Sequence, residues 1–444
     1  EEKFADYGEV QIKQLNDRSK MYYTPNKENN VFQLVVQYGA GEREFPKLGY
    51  AAQLMNNAGI MGAYEPQELK EELSKLNATC HVTADDDNLY IIMEGYEATL
   101  PQACQLLSRQ ILMPKLDEKQ LARLKGSAMG MRQQRKDNVS ILNEALRQYM
   151  LYGEKSDYIK ELTDKEIYEL QISELTGDIN RASNYEAKVF FTGTLPFDQV
   201  YDILSKNLPL VANERPSNSP QAKDMMPVTE NTVYFLPNND AEQAQIHLYI
   251  PMQKADKKDD VLRSAFNQYF GLDFTGIVLN EIREKRSMAY TAYAFVGTQG
   301  IAGKASYLRG YIGTQNDKAN DALDVLMGLV NDMPKNPERI DNIKSYLRQA
   351  MLTSHPSFRN KAMELVDLGY RGYTDDPAKE NLPKVDALTF DDIVKFYEEN
   401  IKDKPYCISI MGNPKNIDLK RLEKFGKVVK LNERKLFNTK DALF

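Results

Sequence analysis

Residues 88–111 read NLYIIMEGYEATLPQACQLLSRQI, and residues 307–330 read YLRGYIGTQNDKANDALDVLMGLV. Each stretch opens with a strand-like run, Asn88 to Glu94 in one and Tyr307 to Gly313 in the other. Each continues into an amphipathic helix. In the first, Leu100, Ala103, Cys104, Leu107 and Ile111 fall at i, i+3, i+4, i+7 and i+11, one face of a helical period. In the second, Ala319, Ala322, Leu323, Leu326 and Val330 repeat that spacing, and 319 − 100 = 219.

The repeat extends outward from these helices. A helix leads into a strand closed by glycine at Lys188 to Gly193 (KVFFTG) and again at Tyr406 to Gly412 (YCISIMG), and 412 − 193 = 219. Val31 to Gln37 and Gln245 to Ile250 are the opening strands, at a slightly smaller offset. Two equal offsets far apart in the chain point to two copies of one α+β unit. In the second copy Ile246, Leu248 and Ile250 share one strand face, while His247 and Tyr249 share the other. Helices therefore cover one side of the sheet and a different environment meets the other. The expected fold class is α+β: two homologous units in tandem, each a mostly antiparallel sheet with helices packed on it. Residues 212–231 (ANERPSNSPQAKDMMPVTEN) have linker composition, which divides the chain into a domain at 1–211, a linker at 212–231 and a domain at 232–444.

Composition narrows the function. The 444 residues carry 57 basic and 64 acidic side chains, a net charge of −7. An acidic chain lacks the basic face that nucleic-acid backbones require. The longest uncharged stretches, Leu48 to Tyr64 and Met288 to Gly303, fall short of the ~20 apolar residues of a membrane span. Cys80, Cys104 and Cys407 are too few and scattered for a disulfide framework. The chain opens on Glu1 without Met or a leader, so we expect it to be cut from a longer polypeptide or to have lost a targeting segment.

Several catalytic motifs start and fail. His81, His247 and His355 are too far apart to form a zinc pair on one helix. Gly39-Ala40-Gly41 follows a strand as a dinucleotide turn does, but Glu44 replaces the next glycine. Gly271 and Gly276 have P-loop spacing, yet Ile277 and Val278 follow in place of Lys and Ser/Thr. Asp85-Asp86-Asp87 reads as a solvated turn more readily than as a cation site.

The order of segments resembles the insulinase/pitrilysin family of zinc metallopeptidases, which includes the mitochondrial processing peptidases and bacterial zinc proteases. The likeness runs through Lys20 to Tyr23, Val31 to Gly41 (VFQLVVQYGAG), Gly49-Tyr50-Ala51, Glu68-Leu69-Lys70, Asp117-Glu118 and Lys136-Asp137-Asn138, and covers nearly the whole chain. It implies the tandem fold already read from the repeat. Active members carry an inverted zinc motif, H-x-x-E-H, where this chain has Ala52, Met55 and Asn56. The third ligand, a Glu, is missing too: none occurs between Glu118 and Glu144, and the matching stretch is Met131-Arg132-Gln133-Gln134. Ala and Met offer zinc no donor. The resemblance therefore implies an inactive partner half with no cofactor of its own and a zinc in the partner half.

The second unit keeps another family signature. Gly271 to Val296 (GLDFTGIVLNEIREKRSMAYTAYAFV) resembles the segment in which a glycine-rich turn leads to an Arg and, seven residues later, a Tyr. Here these are Arg283 and Tyr290. The resemblance implies that they reach substrate held at a partner's zinc. Taken alone, Arg283 reads as a solvated helix charge and Tyr290 as a half-buried strand residue. A helix over Ile277 to Arg286 is expected to carry Arg283 on its last turn. Tyr290 is expected to start the next strand, with Ala292 and Ala294 on its face leaving room for a peptide. Leu272, Asp273 and Ile277 depart from the family pattern. The implied function is the catalytically incomplete half of a zinc metalloendopeptidase, closing a chamber around peptides. The alternatives are a non-catalytic scaffold and a peptide-binding subunit. The residues carry no compartment signal, and the family occurs in the bacterial cell envelope, the cytosol and organelles; the expectation is the bacterial periplasm or cell envelope.

Overall fold

The computed structural model describes residues 3–210, 214–272 and 274–442. The expected boundary at 211–212 and the departure at Asp273 lie outside them. Runs of β-branched and aromatic residues form the strands. The first half contributes β1 (Gln11–Gln14), β2 (Lys20–Pro25), β3 (Val31–Tyr38), β4 (Gly59–Ile60), β5 (Ala78–Ala84), β6 (Leu89–Tyr96), β7 (Pro114–Lys115) and β8 (Ala187–Gly193). The second contributes β9 (Thr232–Pro237), β10 (Gln243–Lys254), β11 (Thr291–Gly297), β12 (Ala305–Gln315), β13 (Cys407–Gly412) and β14 (Lys427–Lys430).

Apart from the small β4–β7 ribbon, these strands form two six-stranded sheets. The first has the order β1-β2-β8-β3-β6-β5. The second, read from its far edge, has the order β14-β9-β13-β10-β12-β11. The two agree place for place, except that one edge strand comes from opposite ends of the chain. β1 pairs antiparallel with β2, while β14 pairs parallel with β9. The repeated helices are Leu100–Leu112 and Ala319–Asn331, thirteen residues each.

One face of each sheet is packed by helices of its own half. In the first, Leu100, Cys104, Leu107 and Ile111 join Phe32, Leu34 and Val36 of β3. In the second, Leu323, Leu326 and Val330 join Ile246, Leu248 and Ile250 of β10. Burying one such Leu or Ile contributes about 1.5–3 kcal/mol, so these period-matched stripes hold each half together.

The opposite faces are covered by exchange. Helix Val139–Tyr152 leaves the first half and sets Leu142, Ala145 and Leu146 against Leu236 of β9 and Met411 of β13. Its Met150 and Leu151 pack on Tyr249 of β10 and Cys407 of β13. Helix Lys361–Tyr370 returns the contact, setting Ala362, Met363 and Val366 against Val35 of β3 and Phe190 of β8. Polar contacts pin both helices. His247 Nε2 lies 2.9 Å from Asn143 Oδ1. Tyr7 donates its hydroxyl to Glu364 at 3.0 Å, and Lys361 pairs with Glu9 at 2.7 Å.

Residues 214–231 contain no helix or sheet strand but are tied to the surface. Asn218 N–H donates to Gly39 O at 3.0 Å, and Met226 N–H donates to Leu151 O at 2.7 Å. Among the described residues no helix is long and apolar enough to cross a membrane.

Candidate functional site

Helix Asp260–Phe270 leads to the Arg283–Tyr290 segment. It buries Val261, Ala265, Phe266, Tyr269 and Phe270 and ends at Gly271. Gly271 O accepts from Ala294 N–H of β11 at 2.9 Å. A Cβ at Gly271 would stand 2.9 Å from Val278 Cγ2 and 3.1 Å from Ala294 N, so only glycine allows this approach. Ala292 and Ala294 are thereby buried in the helix-packed core. This corrects the expectation that their small side chains make room for a peptide: the space belongs to the end of the helix.

The expected helix over Ile277 to Arg286 is also different. Only Ile277–Leu279 forms an α turn, and Asn280–Glu284 forms a π turn. Ile282 is fully buried and anchors the turn. The wider π geometry carries an extra residue per turn, a form often found at functional sites. Past it the chain folds back. Ser287 N–H donates to Arg283 O and Met288 N–H to Ile282 O, both at 2.9 Å. Ser287 takes a left-handed conformation, φ 49°. Lys318 Nζ donates to Ser287 O at 3.2 Å, and Thr314 donates its hydroxyl to Met288 O. Tyr290 N–H donates to Gly313 O at 2.9 Å, one residue ahead of β11.

This turn places Arg283 and Tyr290 in one surface cleft of about 440 Å³, with Glu284, Ser287, Gln315 and Lys318 among its walls. The Arg283 side chain is 45% exposed and Tyr290 is 53% exposed. Gln315 Nε2 donates to Tyr290 Oη at 3.3 Å, leaving the phenol proton for another acceptor. Arg283 Nε lies 3.6 Å from Glu284 Oε1. Guanidinium, phenol and ammonium thus face one carboxylate, a set that stabilises an anionic oxygen.

The first half differs at the positions compared with the zinc motif. On helix Leu48–Met55, Ala52 and Met55 are each 1% exposed and lie in the core. Asn56, just past the helix, spends its amide on the edge strand. Nδ2 donates to Val82 O at 2.9 Å, and Oδ1 accepts from Val82 N–H at 2.8 Å. Across the adjoining cleft of about 920 Å³, Arg132 pairs with Asp164 at 2.8 Å, and Arg135 reaches both oxygens of Glu161. The donor set does not fit zinc: two side chains are apolar, the third is engaged, and guanidinium groups repel a cation. Among the described residues no group of three or more His, Cys, Asp or Glu side chains could hold a metal.

Sequence reading missed a second clamp of the same kind. Asn267 Nδ2 donates to Val296 O at 2.9 Å and Oδ1 accepts from Val296 N–H at 2.7 Å, on edge strand β11. Its only sequence signal is an Asn near the end of each corresponding helix. Other candidates resolve as structure. Asp85 closes a turn by accepting from Asp87 N–H and Asn88 N–H, and Arg43 pairs with Asp86 and Asp87. His247 is buried; desolvation, with Arg309 and Arg147 nearby, pushes it down to about 3.

Comparison with known proteins adds three findings. Residues 183–347 match the family model of the Peptidase M16 inactive domain. None of the curated proteins matches the chain. Among solved structures the chain is similar to a peptidase M16 inactive domain from Pseudomonas fluorescens, at 16% identity and a TM-score of 0.71, over 92% of this chain and 99% of that one. It is similar to a mutant of the ferredoxin protease FusC in complex with Arabidopsis ferredoxin, at 12% identity and a TM-score of 0.71, over 91% of this chain and 45% of that one. It is also similar to the periplasmic protease PqqL from Escherichia coli, at 13% identity and a TM-score of 0.67, over 91% and 46%. The chain spans the full length of the first structure and just under half of each protease. At these identities the likeness shows the fold.

Proposed function

From the match of residues 183–347 to the Peptidase M16 inactive domain, we propose that this chain is the catalytically incomplete half of a zinc metalloendopeptidase. It forms one side of a peptide-enclosing chamber and supplies Arg283 and Tyr290 to the zinc site of a partner half. That partner is a homologous half, either within one longer polypeptide or as a separate subunit. The domains are those of the repeat, 1–211 and 232–444, joined by 212–231.

One observation carries the reading. Arg283 and Tyr290 are held out of the core into a shared cleft by a turn that is itself firmly anchored. A surface arginine and tyrosine with no task need no such support. Peptide hydrolysis builds negative charge on the carbonyl oxygen. A phenol donor and a fixed guanidinium offset that charge where water is excluded. A zinc bound in the partner half would supply the activated water. This chain contributes the two donors, and Gln315 turns the phenol proton outward.

The test is hydrolysis of a quenched fluorescent peptide by the zinc-bearing half, with and without this chain. Activity restored by addition, and lowered ~10²-fold by Arg283→Ala or by Tyr290→Phe, is the expected result. Association of the two halves without activity would sink this reading in favour of a scaffold. The burial of Ala52 and Met55, which completes the first core, is the observation that favours that second reading.

A further inference from the structure

The face of the second sheet opposite its own helices is only partly covered by the exchanged helix. That helix lies on β9, β13 and β10. The end of the helix, with Met225 and Val228, also packs with Tyr307 of β12. Past these contacts the side chains of the outer strands β11 and β12 on this face are half-buried: Tyr293 and Phe295, then Arg309 and Tyr311. Strand register sets Tyr293 beside Tyr311, Phe295 beside Arg309, and Gly297 beside Tyr307. On the other flank Tyr249 stands beside Arg309. Arg309 therefore sits in the middle of a lattice of rings. Its guanidinium carbon lies 5.7 Å from the Phe295 ring centre, and the rings of Tyr293 and Tyr311 are 5.4 Å apart.

The charge on this lattice is unbalanced. Arg147, from the exchanged helix, is neutralised by Glu144 at 2.7 Å. Arg309 makes no ion pair among the described residues. Burial and the Arg147 charge hold its guanidinium below the ordinary arginine range. Glu144 attracts it but is itself bonded to Arg147, so this half-buried arginine, flanked by aromatic faces, lacks a carboxylate of its own.

We propose that this face is a peptide-binding platform, in which Arg309 takes the side-chain carboxylate of an acidic residue while a neighbouring aromatic side chain of the same peptide lies on Tyr293 and Phe295. Charge complementarity selects an acidic ligand. A nucleic-acid strand also stacks on rings, but it needs a cationic track along its backbone, and this acidic chain offers a single unpaired arginine here. The site belongs to this chain alone and does not depend on the Arg283–Tyr290 reading.

The experiment is fluorescence anisotropy with the full chain and a labelled, C-terminally amidated peptide, Gly-Gly-Glu-Phe-Glu-Tyr-Gly-Gly. Its counterparts carry Gln or Lys in place of Glu. Saturable binding of the Glu peptide is expected, at least about tenfold weaker for the Gln peptide and weaker still for the Lys peptide. Arg309→Gln should lower affinity for the Glu peptide by about tenfold or more and leave the Gln peptide unchanged. Arg309→Lys should recover part of the loss, and the remote Lys395→Gln should change nothing. Equal binding of Glu and Gln peptides would overturn the proposal, without reference to any variant's folding. So would equal binding by a neutral peptide with a free C-terminal carboxylate, or displacement of the Glu peptide by a single-stranded oligonucleotide. Failure of this chain to restore peptide hydrolysis by the zinc-bearing half, with this binding intact, would count against the Arg283–Tyr290 reading alone.

Discussion

The two halves use one clamp and then part ways. Asn56 grips Val82 on β5, and Asn267 grips Val296 on β11, each with both atoms of its amide on both backbone groups of an edge-strand valine. After the first clamp comes helix Pro66–Lys75, ten residues long, started by a Glu65–Glu68 capping box. It passes through the left-handed Asn77 straight into β5. After the second comes a three-residue α turn, a π turn and a fold-back at Ser287 before β11. The regular version presents no chemistry. The irregular version holds Arg283 and Tyr290 in the open. The lesson is that the Asn at the zinc-compared position is a working part of the first half, as Asn267 is of the second.

The comparison can be broken at several levels. The largest effect is in the cores. Leu107 and Leu326 are repeat-equivalent and almost fully buried. Leu→Ala at either should cost about 2–5 kcal/mol, and by similar amounts if the halves are equivalent. Urea midpoints measure this, and a large inequality would show one half to be the weaker. Next comes the ~10²-fold loss of partner hydrolysis on Arg283→Ala. The matching change in the regular helix, Lys70→Ala, should leave hydrolysis unchanged. Smaller again, Asn56→Ala and Asn267→Ala each strip two hydrogen bonds from an edge strand and should cost about 1–2 kcal/mol. Hydrogen exchange should rise at Val82 in one variant and at Val296 in the other. If Asn56→Ala were neutral while Asn267→Ala were not, the clamps would not be equivalent.

The smallest effect lies beside the first clamp. The Glu42 carboxyl rests against Gly49 in the first turn of helix Leu48–Met55, where a Cβ would come within 2.4 Å of it. It is pushed up to about 7, first by burial and then by Asp86, Asp85 and Asp157. A carboxyl raised in the folded state binds its proton more tightly than the unfolded chain does. That contribution is complete below the ordinary value of 4.5 and is lost as pH rises through about 7. Glu42→Gln should therefore flatten the fall in stability between about pH 5 and about pH 8, by roughly 1 kcal/mol after allowance for solvent screening. Parallel pH curves for parent and variant would show that the carboxyl titrates normally.

Much of this fold was legible from the repeat. The helices starting at Leu100 and Ala319 stand 219 residues apart in the structure, as their apolar spacing requires, because a stripe at the helical period has one face to bury. Within the site, the seven-residue spacing of Arg283 and Tyr290 was readable, and both line one cleft. The π turn was not readable. Ile277 to Arg286 has helical composition, and what opens the turn is the burial of Ile282 together with bonds from Lys318 and Thr314, some thirty residues later. The two Asn clamps were equally silent, since an Asn near a helix end caps, turns or clamps according to what lies opposite.

The sequence by itself determined the local period of each element, the two-copy plan, and which residue types stand where a metal would need donors. Tertiary structure alone decided which sheet each helix covers. The apolar stripes of Val139–Tyr152 and Lys361–Tyr370 fit any apolar sheet face, and burial is non-directional. Only the assembled chain sends each of them to the opposite half, and sets Arg309 of β12 between Tyr249 of β10 and Phe295 of β11.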